Sequence, residues 1–407
     1  MVSPPLGGNP NVPVMPPLRL LPLVLALAVV PAAPAAEDGA AAWEAHGFTS
    51  GQRAALREVW AWGIAGRFVP GGVMLVVHRG EVVFREAFGV ADLASGRAFT
   101  PDLPCRIASV TKPHTATLLA LLVEEGRLGW DDPVERHLPA FRGVRVMGER
   151  PAARSPRVRE LLSHTAGFAP QGERGDERWR IRGDGSLADA VDDLARAGLA
   201  TEPGARFAYT GFGYMVAGRI AEVVTGREFA ELMRKRLLVP IGAGGAAFLP
   251  RLAAAERARL PVMYERSGDT LVPAAASGRD EPVLAFPNPG GGLVATADDV
   301  MRLLRLHRDG GMAGGRRLVS AATLAELHRV QPATGRDGYG LGFNIVRADA
   351  DGRATRLRHN GASGTFAFMD LREDLLVVAL TQVPTKQRMP FTRRLDAAVD
   401  AVLLGGR

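Results

Sequence analysis

Strand patterns at both ends of the chain enclose a helical middle, and this arrangement constrains the fold more than any other feature. Near the start, residues 72–78 and 81–88 are rich in β-branched and aromatic side chains, and Arg79-Gly80 between them predicts a hairpin turn. Near the end, further strands are predicted at residues 339–346, 355–359, 365–370 and 375–381, before a closing amphipathic helix at 391–404. We therefore expect an α/β (α+β) fold with one antiparallel sheet, built from both chain ends and flanked by helices.

Leucine and valine recur at helical spacing in the middle of the chain. This periodicity predicts helices at residues 116–125 and 213–224, and each of them stops at a glycine. Thr296 and Asp299 form a capping box that predicts another helix directly after it. Residues 251–287 show no regular period and are predicted to form a loop.

These elements divide the chain into two lobes. The sheet lobe is expected to contain roughly residues 45–108 and 290–404, and the helical lobe roughly residues 109–289. A ligand site is expected in the crevice between them. Because neither an internal repeat nor a low-complexity linker interrupts the sequence, both lobes are assigned to one domain, residues 36–407.

Residues 1–35 are typical of a secretory signal peptide. Arg19 precedes the apolar stretch 20–30, and the small residues Ala33 and Ala35 follow it as a cleavage pattern. The stretch is too short for a helix that crosses a bilayer core of about 30 Å. We expect the mature protein to be exported, to the periplasm or the cell exterior, without a stable membrane span. An uncleaved anchor is the alternative.

The composition excludes several classes of site. The single cysteine, Cys105, cannot form an intramolecular disulfide or an iron–sulfur centre, and it is predicted to be a small core residue. The 8 histidines lack metal-ligand spacing, so we expect neither a metal nor another cofactor. Although 50 basic residues outnumber 43 acidic ones, the basic residues are scattered, and no nucleic-acid partner is expected.

Ser109 and Lys112 lie three residues apart, a spacing that places both side chains on one face of a helix. A serine hydroxyl is a weak nucleophile and needs a base, and a lysine can be that base when burial lowers its pKa. An arginine cannot lose its proton in this way, and lysine occurs only three times among the 50 basic residues. The pair predicts a serine nucleophile activated by a lysine. An ordinary capping serine beside a surface lysine is the alternative.

Six segments, in this order and at this spacing, resemble the serine β-lactamase and penicillin-binding-protein superfamily. They are RIASVTKP at 106–113, LLSHTAGF at 161–168, PGARFAY at 203–209, GYMVAG at 213–218, GGGLVAT at 290–296 and HNG at 359–361. The resemblance covers nearly all of the mature chain, and His164 is interpreted as part of a structural turn. It is closest to the class C-like branch: class C β-lactamases, D-alanyl-D-alanine carboxypeptidases, D-aminopeptidases and β-lactamase-like carboxylesterases. It implies a β-lactamase/transpeptidase-like fold.

The resemblance implies roles for three side chains. Ser109 would be the acylated nucleophile, Lys112 its base or proton shuttle, and Tyr209 the tyrosine that moves the proton toward the leaving group. A nearby Lys112 cation would lower the pKa of Tyr209 from its usual value near 10. Whether Lys112 or Tyr209 is the acylation base stays open, because the two can titrate as a pair.

The resemblance also implies a substrate-binding strand edge at His359-Asn360-Gly361. Gly361 would let a substrate approach the strand backbone closely, and His359 would donate a hydrogen bond or carry charge toward a carboxylate. The backbone N–H groups of Ser109 and Ala362 would form an oxyanion hole.

One position departs from the family pattern. The tyrosine motif often reads Tyr-x-Asn, whereas here Gly211 follows Thr210 and supplies no side-chain amide. This loss disfavours efficient β-lactam turnover and favours esters as substrates, unless Asn360 or Asn288 supplies the missing amide.

We therefore expect an exported, monomeric serine hydrolase that acts through an acyl-enzyme on a small amide, a lactam or a D-amino peptide. A carboxylesterase of the β-lactamase-like type is one alternative. A sensor that binds acyl groups or peptidoglycan-like peptides without turnover is the other.

Overall fold

The computed structural model describes residues 38–170, 181–277, 284–335 and 338–405. The signal peptide expected at residues 1–35 lies outside these ranges. None of the helices within them combines the length and the apolar character that crossing a membrane requires.

The described residues contain twelve α-helices, α1 to α12, of very different lengths. In chain order they are Asp38–Ala45, Ser50–Ala65, Thr111–Glu124, Val134–His137, Val158–Leu162, Leu187–Ala197, Phe212–Thr225, Phe229–Met233, Ala254–Arg259, Ala297–Arg308, Ala321–Leu327 and Met389–Ala398. The helices predicted around residues 116–125 and 213–224 are therefore confirmed as α3 and α7. The capping box of Thr296 and Asp299 starts α10 as predicted.

Sixteen strands, β1 to β16, occur in the same described ranges. In chain order they are Gly71–His78, Glu81–Asp92, Arg97–Ala98, Cys105–Arg106, Arg145–Val146, Arg150–Pro151, Ala247–Phe248, Tyr264–Ser267, Thr270–Pro273, Leu293–Ala295, Met312–Ala313, Arg316–Arg317, Asn344–Ala348, Ala354–Gly361, Thr365–Asp370 and Leu375–Leu380. Most of the two-residue strands belong to small hairpins outside the main sheet.

The main sheet has seven strands in the order β13-β14-β15-β16-β1-β2-β3, and its neighbouring strands run antiparallel. The two chain ends meet where β1 pairs with β16, from Val73 opposite Leu380 to His78 opposite Leu375. The prediction of one antiparallel sheet built from both ends is confirmed. Arg79 and Gly80, both with positive φ, form the hairpin turn between β1 and β2.

Both faces of this sheet are covered, which explains why β16 is apolar at every position and why every residue of β1 is buried. In β1, Val73, Leu75 and Val77 belong to one buried cluster with α3, α7 and α10. Met74 and Val76 point to the opposite face and join a second cluster with α2 and α12. Because side chains alternate along a strand, only a sheet packed on two sides requires an unbroken apolar run.

Two sequence-based predictions about irregular segments were wrong. Residues 251–287 contain helix α9 and the hairpin of β8 and β9, instead of only a loop. The strand predicted at 339–346 begins only at Asn344, because Gly338 and Gly342 have positive φ values that an extended strand does not contain. Tyr339 keeps a single isolated bridge to Asn344.

Burial at the centre of the sheet provides a test of this packing. Leu376 on β16 is fully buried, whereas Leu93 is 46% exposed. Leu376→Ala is expected to lower the free energy of unfolding by about 2–5 kcal/mol, because it leaves a cavity between sheet and helices. Leu93→Ala, the same chemical change, is expected to lower it by less than about 0.5 kcal/mol. Urea denaturation followed by circular dichroism measures both, and equal losses would contradict the assignment of the core.

Candidate active site

Ser109 lies on a strained turn between the sheet and helix α3. Residues Ala108–Val110 form a short 3-10 helix that leads directly into α3 at Thr111. Ala108 has a φ of 44°, in the left-handed region that residues with a Cβ rarely adopt. The strain holds Ser109 half-buried at the start of the helix instead of inside its regular part. We call residues 107–110 the serine turn.

Side chains from the sheet fix the backbone that enters this turn. The hydroxyl of Thr365 donates to the carbonyl oxygen of Ile107 over 2.9 Å, and the hydroxyl of Ser363 donates to that of Arg106. The side-chain oxygen of Gln382 accepts from the N–H of Arg106 over 3.2 Å. These bonds stabilise a backbone conformation that would otherwise relax.

Gly361 has a structural use beside the expected one. A Cβ at this position would lie 2.0 Å from Thr365 Oγ1 and 2.4 Å from the carbonyl oxygen of Ile107. The position of a Cβ is therefore filled by the protein's own serine turn and by Thr365, and the approach of a substrate to the strand backbone stays a prediction. Gly361 lets β14 pack against the turn that carries Ser109.

Lys112 is brought to Ser109 as the sequence predicts. Its Nζ donates to Ser109 Oγ over 3.0 Å and to the carbonyl oxygen of Gly290 over 2.7 Å. The side chain is only 1% exposed. This burial penalises the charged ammonium and lowers the pKa of Lys112 to about 7. A neutral amine is therefore available at neutral pH, beside a hydroxyl that it can deprotonate.

Tyr209 packs against the same amine, but its pKa moves in the opposite direction to the one expected. Its ring centre lies 4.9 Å from Lys112 Nζ. Burial raises the pKa of Tyr209 to about 12, and a hydrogen bond with Ser109 opposes the rise only in part. The prediction that a Lys112 cation lowers this pKa is wrong, because burial of the Tyr209 hydroxyl dominates its pKa. Of the two candidates, the lowered pKa of Lys112 and the raised pKa of Tyr209 favour Lys112 as the proton acceptor.

Two further tyrosines near Lys112 escaped the sequence analysis. The ring of Tyr214 lies 5.4 Å from Lys112 Nζ, and its hydroxyl donates to the carbonyl oxygen of Leu162 over 2.7 Å. Tyr339 is fully buried, and its hydroxyl oxygen lies 3.0 Å from Nε2 of His359. The whole chain has only 4 tyrosines. Because tyrosine is so rare in this sequence, each of them could have been considered a candidate for the site.

His359 is a buried histidine whose two ring nitrogens both have hydrogen-bond partners. Its Nδ1–H donates to the carbonyl oxygen of Asn360 over 2.9 Å, which leaves Nε2 to accept from the hydroxyl of Tyr339. Burial, with a smaller contribution from Lys112, lowers the pKa of His359 to about 3. The lowered pKa disfavours the charged form, and the predicted hydrogen bond or charge toward a carboxylate stays a prediction. The ring centre of His359 lies 6.3 Å from that of Tyr209, which packs against Lys112.

His164 is a second buried histidine of this enclosure. It has a φ of 61°, and its Nδ1 accepts from the backbone N–H of Thr210 over 3.2 Å. The ring centre lies 4.3 Å from that of Tyr209. Burial and the nearby Lys112 hold the pKa of His164 well below its usual value. His164 therefore lies on a turn, as we predicted from the sequence. It also packs against Tyr209, one of the side chains around Lys112.

A cavity of about 290 Å³ opens beside the serine turn. Its lining is mixed. The apolar side chains include Leu249, Met263, Leu284, Phe286 and Leu293, and the charged Arg106 and Glu265 lie beside them. Ala108, Ala362 and Asn288 also line it, so the cavity reaches the positions next to Ser109 and the end of β14.

The remaining predicted residues lie around the same place. Ala362 is exposed at the turn after β14, beside Gly361 and the serine turn. Asn360 Oδ1 is buried and has no hydrogen-bond partner among the described residues. Cys105 is buried in β4, and burial raises the pKa of its thiol, so it is a core residue as predicted. Across the described ranges, no three His, Cys, Asp or Glu side chains are grouped to hold a metal ion.

Comparison with known proteins identifies relatives along most of the chain. The β-lactamase family model matches residues 54–401. Penicillin-binding protein 4 of Amycolatopsis lactamdurans is 35% identical over 305 residues, which cover 73% of this chain and 75% of that protein. Esterase EstB of Burkholderia gladioli is 29% identical over 393 residues, which cover 86% of this chain and 95% of the esterase.

Solved structures agree with this result. EstCE1, described as a hydrolase with promiscuous acyltransferase activity, superposes with a TM-score of 0.74 at 26% identity and covers 86% of this chain and 98% of its own. Simvastatin synthase of Aspergillus terreus superposes with a TM-score of 0.71 at 20% identity and covers 87% of this chain and 99% of its own. The fold is therefore the β-lactamase/transpeptidase-like one.

The protonation of Lys112 can be measured directly, because the chain has only three lysines. In protein labelled with ¹⁵N-lysine, we expect one side-chain signal to titrate near pH 7, since burial lowers the pKa of Lys112 to about 7. The signal should be absent from Lys112→Met, which identifies it. If no lysine signal titrates below about pH 9, Lys112 is charged at neutral pH, and burial does not lower its pKa to about 7.

Proposed function

The chain belongs to the β-lactamase family, and we propose on this premise that it is a serine hydrolase that acts through an acyl-enzyme at Ser109. The observation that carries the proposal is the 3.0 Å contact between Lys112 Nζ and Ser109 Oγ, with the lysine 1% exposed. A pKa of about 7 for Lys112 supplies the neutral amine that the serine needs.

In the first step, Lys112 accepts the proton of the Ser109 hydroxyl while Oγ bonds to the carbonyl carbon of the substrate. The tetrahedral intermediate then carries its negative charge on the former carbonyl oxygen. The backbone N–H groups of Ser109 and Ala362 are proposed to bind this oxygen, and each such donor contributes about 10²–10³ to the rate. The turns that carry them are adjacent, since Gly361 packs against Ile107 and Ala108.

Collapse of the intermediate breaks the bond to the leaving group, which must gain a proton. The hydroxyl of Tyr209 supports this step, because a pKa raised to about 12 keeps it protonated. We propose that it donates to the leaving group and recovers a proton from the Lys112 ammonium, which lies 4.9 Å from its ring centre. Water then attacks the ester of Ser109 and releases the acid, so the cycle needs no cofactor.

Small amides, lactams and D-amino peptides are the proposed substrate class, and penicillin-binding protein 4 as a relative favours it. A carboxylesterase is the second candidate. It is favoured by the apolar side chains that line part of the cavity beside the serine turn, by the missing side-chain amide at Gly211 and by the similarity to Esterase EstB.

We further propose that residues 1–35 direct export and that the mature protein, residues 36–407, acts outside the cytoplasm as a monomer. The pattern of Arg19, the apolar stretch 20–30 and the small residues Ala33 and Ala35 supports this placement. We also propose that the site lies in the crevice between the sheet lobe and the helical lobe, since ligand sites favour such positions.

Intact mass spectrometry combined with turnover assays tests the acyl-enzyme. The protein is mixed with a chromogenic ester and, separately, with a chromogenic cephalosporin. We expect steady hydrolysis of at least one of them, and Ser109→Ala should lose it by about 10³-fold or more, because no other group supplies the nucleophile.

Ser267→Ala is the matched control, since Ser267 is exposed on the hairpin of β8 and β9. It should retain wild-type turnover. A single stoichiometric mass gain on Ser109 without turnover would support the non-turnover sensor. Hydrolysis that survives Ser109→Ala would refute the proposal.

A further inference from the structure

Gly211 stands where related sequences often carry asparagine, and another asparagine lies close to the vacant position. Gly290 separates the two residues. A Cβ added to Gly290 would lie 3.4 Å from the Cα of Gly211 and 3.4 Å from Oδ1 of Asn288. Asn288 belongs to a different segment of the chain, but its side chain lies close to the position where the missing amide would be.

The loop that carries Asn288 is fixed to the helix of the proposed nucleophile. We call residues 288–292 the glycine loop. The hydroxyl of Thr115 donates to the carbonyl oxygen of Pro289 over 2.6 Å, and Lys112 Nζ donates to that of Gly290 over 2.7 Å. Both donors lie on α3. The position of Asn288 relative to Ser109 is therefore set by the same helix that places Lys112.

The side-chain amide of Asn288 has a defined orientation. Its Oδ1 accepts from the backbone N–H of Gly290 over 2.9 Å. Its Nδ2 donates no hydrogen bond within the described part of the chain, and the residue lines the cavity. A Cβ on Gly291 would lie 3.8 Å from this Nδ2 and 3.7 Å from the carbonyl carbon of Ala108. The free donor and the serine turn therefore flank the same small space.

We infer that Asn288 is a specificity-determining residue, whose Nδ2 donates a hydrogen bond to an amide carbonyl of the substrate next to the scissile bond. The inference rests on the proposed serine hydrolase and names its preferred substrates as N-acylated amino-acid derivatives. Gly291 lines the cavity and leaves room for such a group, because a Cβ at this position would have no neighbouring atom closer than 3.7 Å. An acyl group without the amide still enters the cavity but leaves Nδ2 unpaired.

Two esters with the same leaving group test this inference. They are the p-nitrophenyl esters of N-acetyl-D-alanine and of butyric acid, and only the first carries an amide. Asn288→Asp keeps an oxygen that accepts from Gly290 but removes the donor. We expect kcat/KM to fall about 10-fold or more for the N-acetyl ester and less than about 3-fold for the butyrate. The ratio cancels any effect on Ser109 or Lys112, because both esters use them equally. If Asn288→Asp fails to fold, Asn288→Ala is compared through the same ratio.

Asn344→Asp is the matched control, because Asn344 lies on β13, outside the proposed site, and does not line the cavity. It should change the ratio by less than about 3-fold. Equal losses for both esters in Asn288→Asp, or a selective loss in Asn344→Asp, would overturn the inference and leave the hydrolase proposal intact. If the wild-type protein neither hydrolyses nor is acylated by either ester, the proposed function fails, and the inference fails with it.

Discussion

The exclusion of water from one lysine amine is the constraint on which the rest of the site depends. Lys112 touches Ser109 and Gly290 through hydrogen bonds and lies against the rings of Tyr209 and Tyr214. With no carboxylate bonded to its amine among the described residues, burial alone sets its pKa to about 7. Below about pH 7 both the folded and the unfolded chain hold this proton, and the buried charge lowers stability by its full amount. Between about pH 7 and 10.5 only the unfolded chain holds it, so the lowering fades as pH rises. Function and stability therefore conflict at this side chain.

The residues that surround the amine come from distant parts of the chain, and their packing keeps the lysine buried. Tyr209 and Tyr214 flank the start of α7, the carbonyl oxygen of Gly290 comes from the glycine loop, and Tyr339 and His359 come from the C-terminal part that forms the sheet. Every titratable neighbour named here is kept neutral by the same burial: His359 and His164 through lowered pKa values, and Tyr209 through a raised one. Because these neighbours are neutral, none of them provides a negative charge that would hold Lys112 in its ammonium form. A general base at neutral pH requires such a site.

The sequence was most informative where the structure is local or repetitive. The strand at Thr365–Asp370 was predicted to the residue, because all six of its residues are buried and its four central side chains are apolar, as a sheet covered on both faces requires. The contact between Ser109 and Lys112 could be predicted as well, since three residues of helix determine it. The hairpin of β8 and β9 was missed because each of its strands is only four residues long and partly exposed, too short for a periodic signal. The use of Gly361 was missed for another reason: its neighbour Ile107 lies far away in sequence, and only tertiary packing brings the two together.

The pH dependence of Ser109 acylation tests the central claim most directly, in single-turnover experiments between about pH 5.5 and 8.5. If neutral Lys112 is the base, the rate should rise about tenfold per pH unit below pH 7 and level off above it, in agreement with its pKa of about 7. Lys112→Arg should lose the acylation almost completely, because a guanidinium cannot accept the proton. A rate that stays constant through pH 7, or acylation that continues unchanged in Lys112→Arg, would contradict the account.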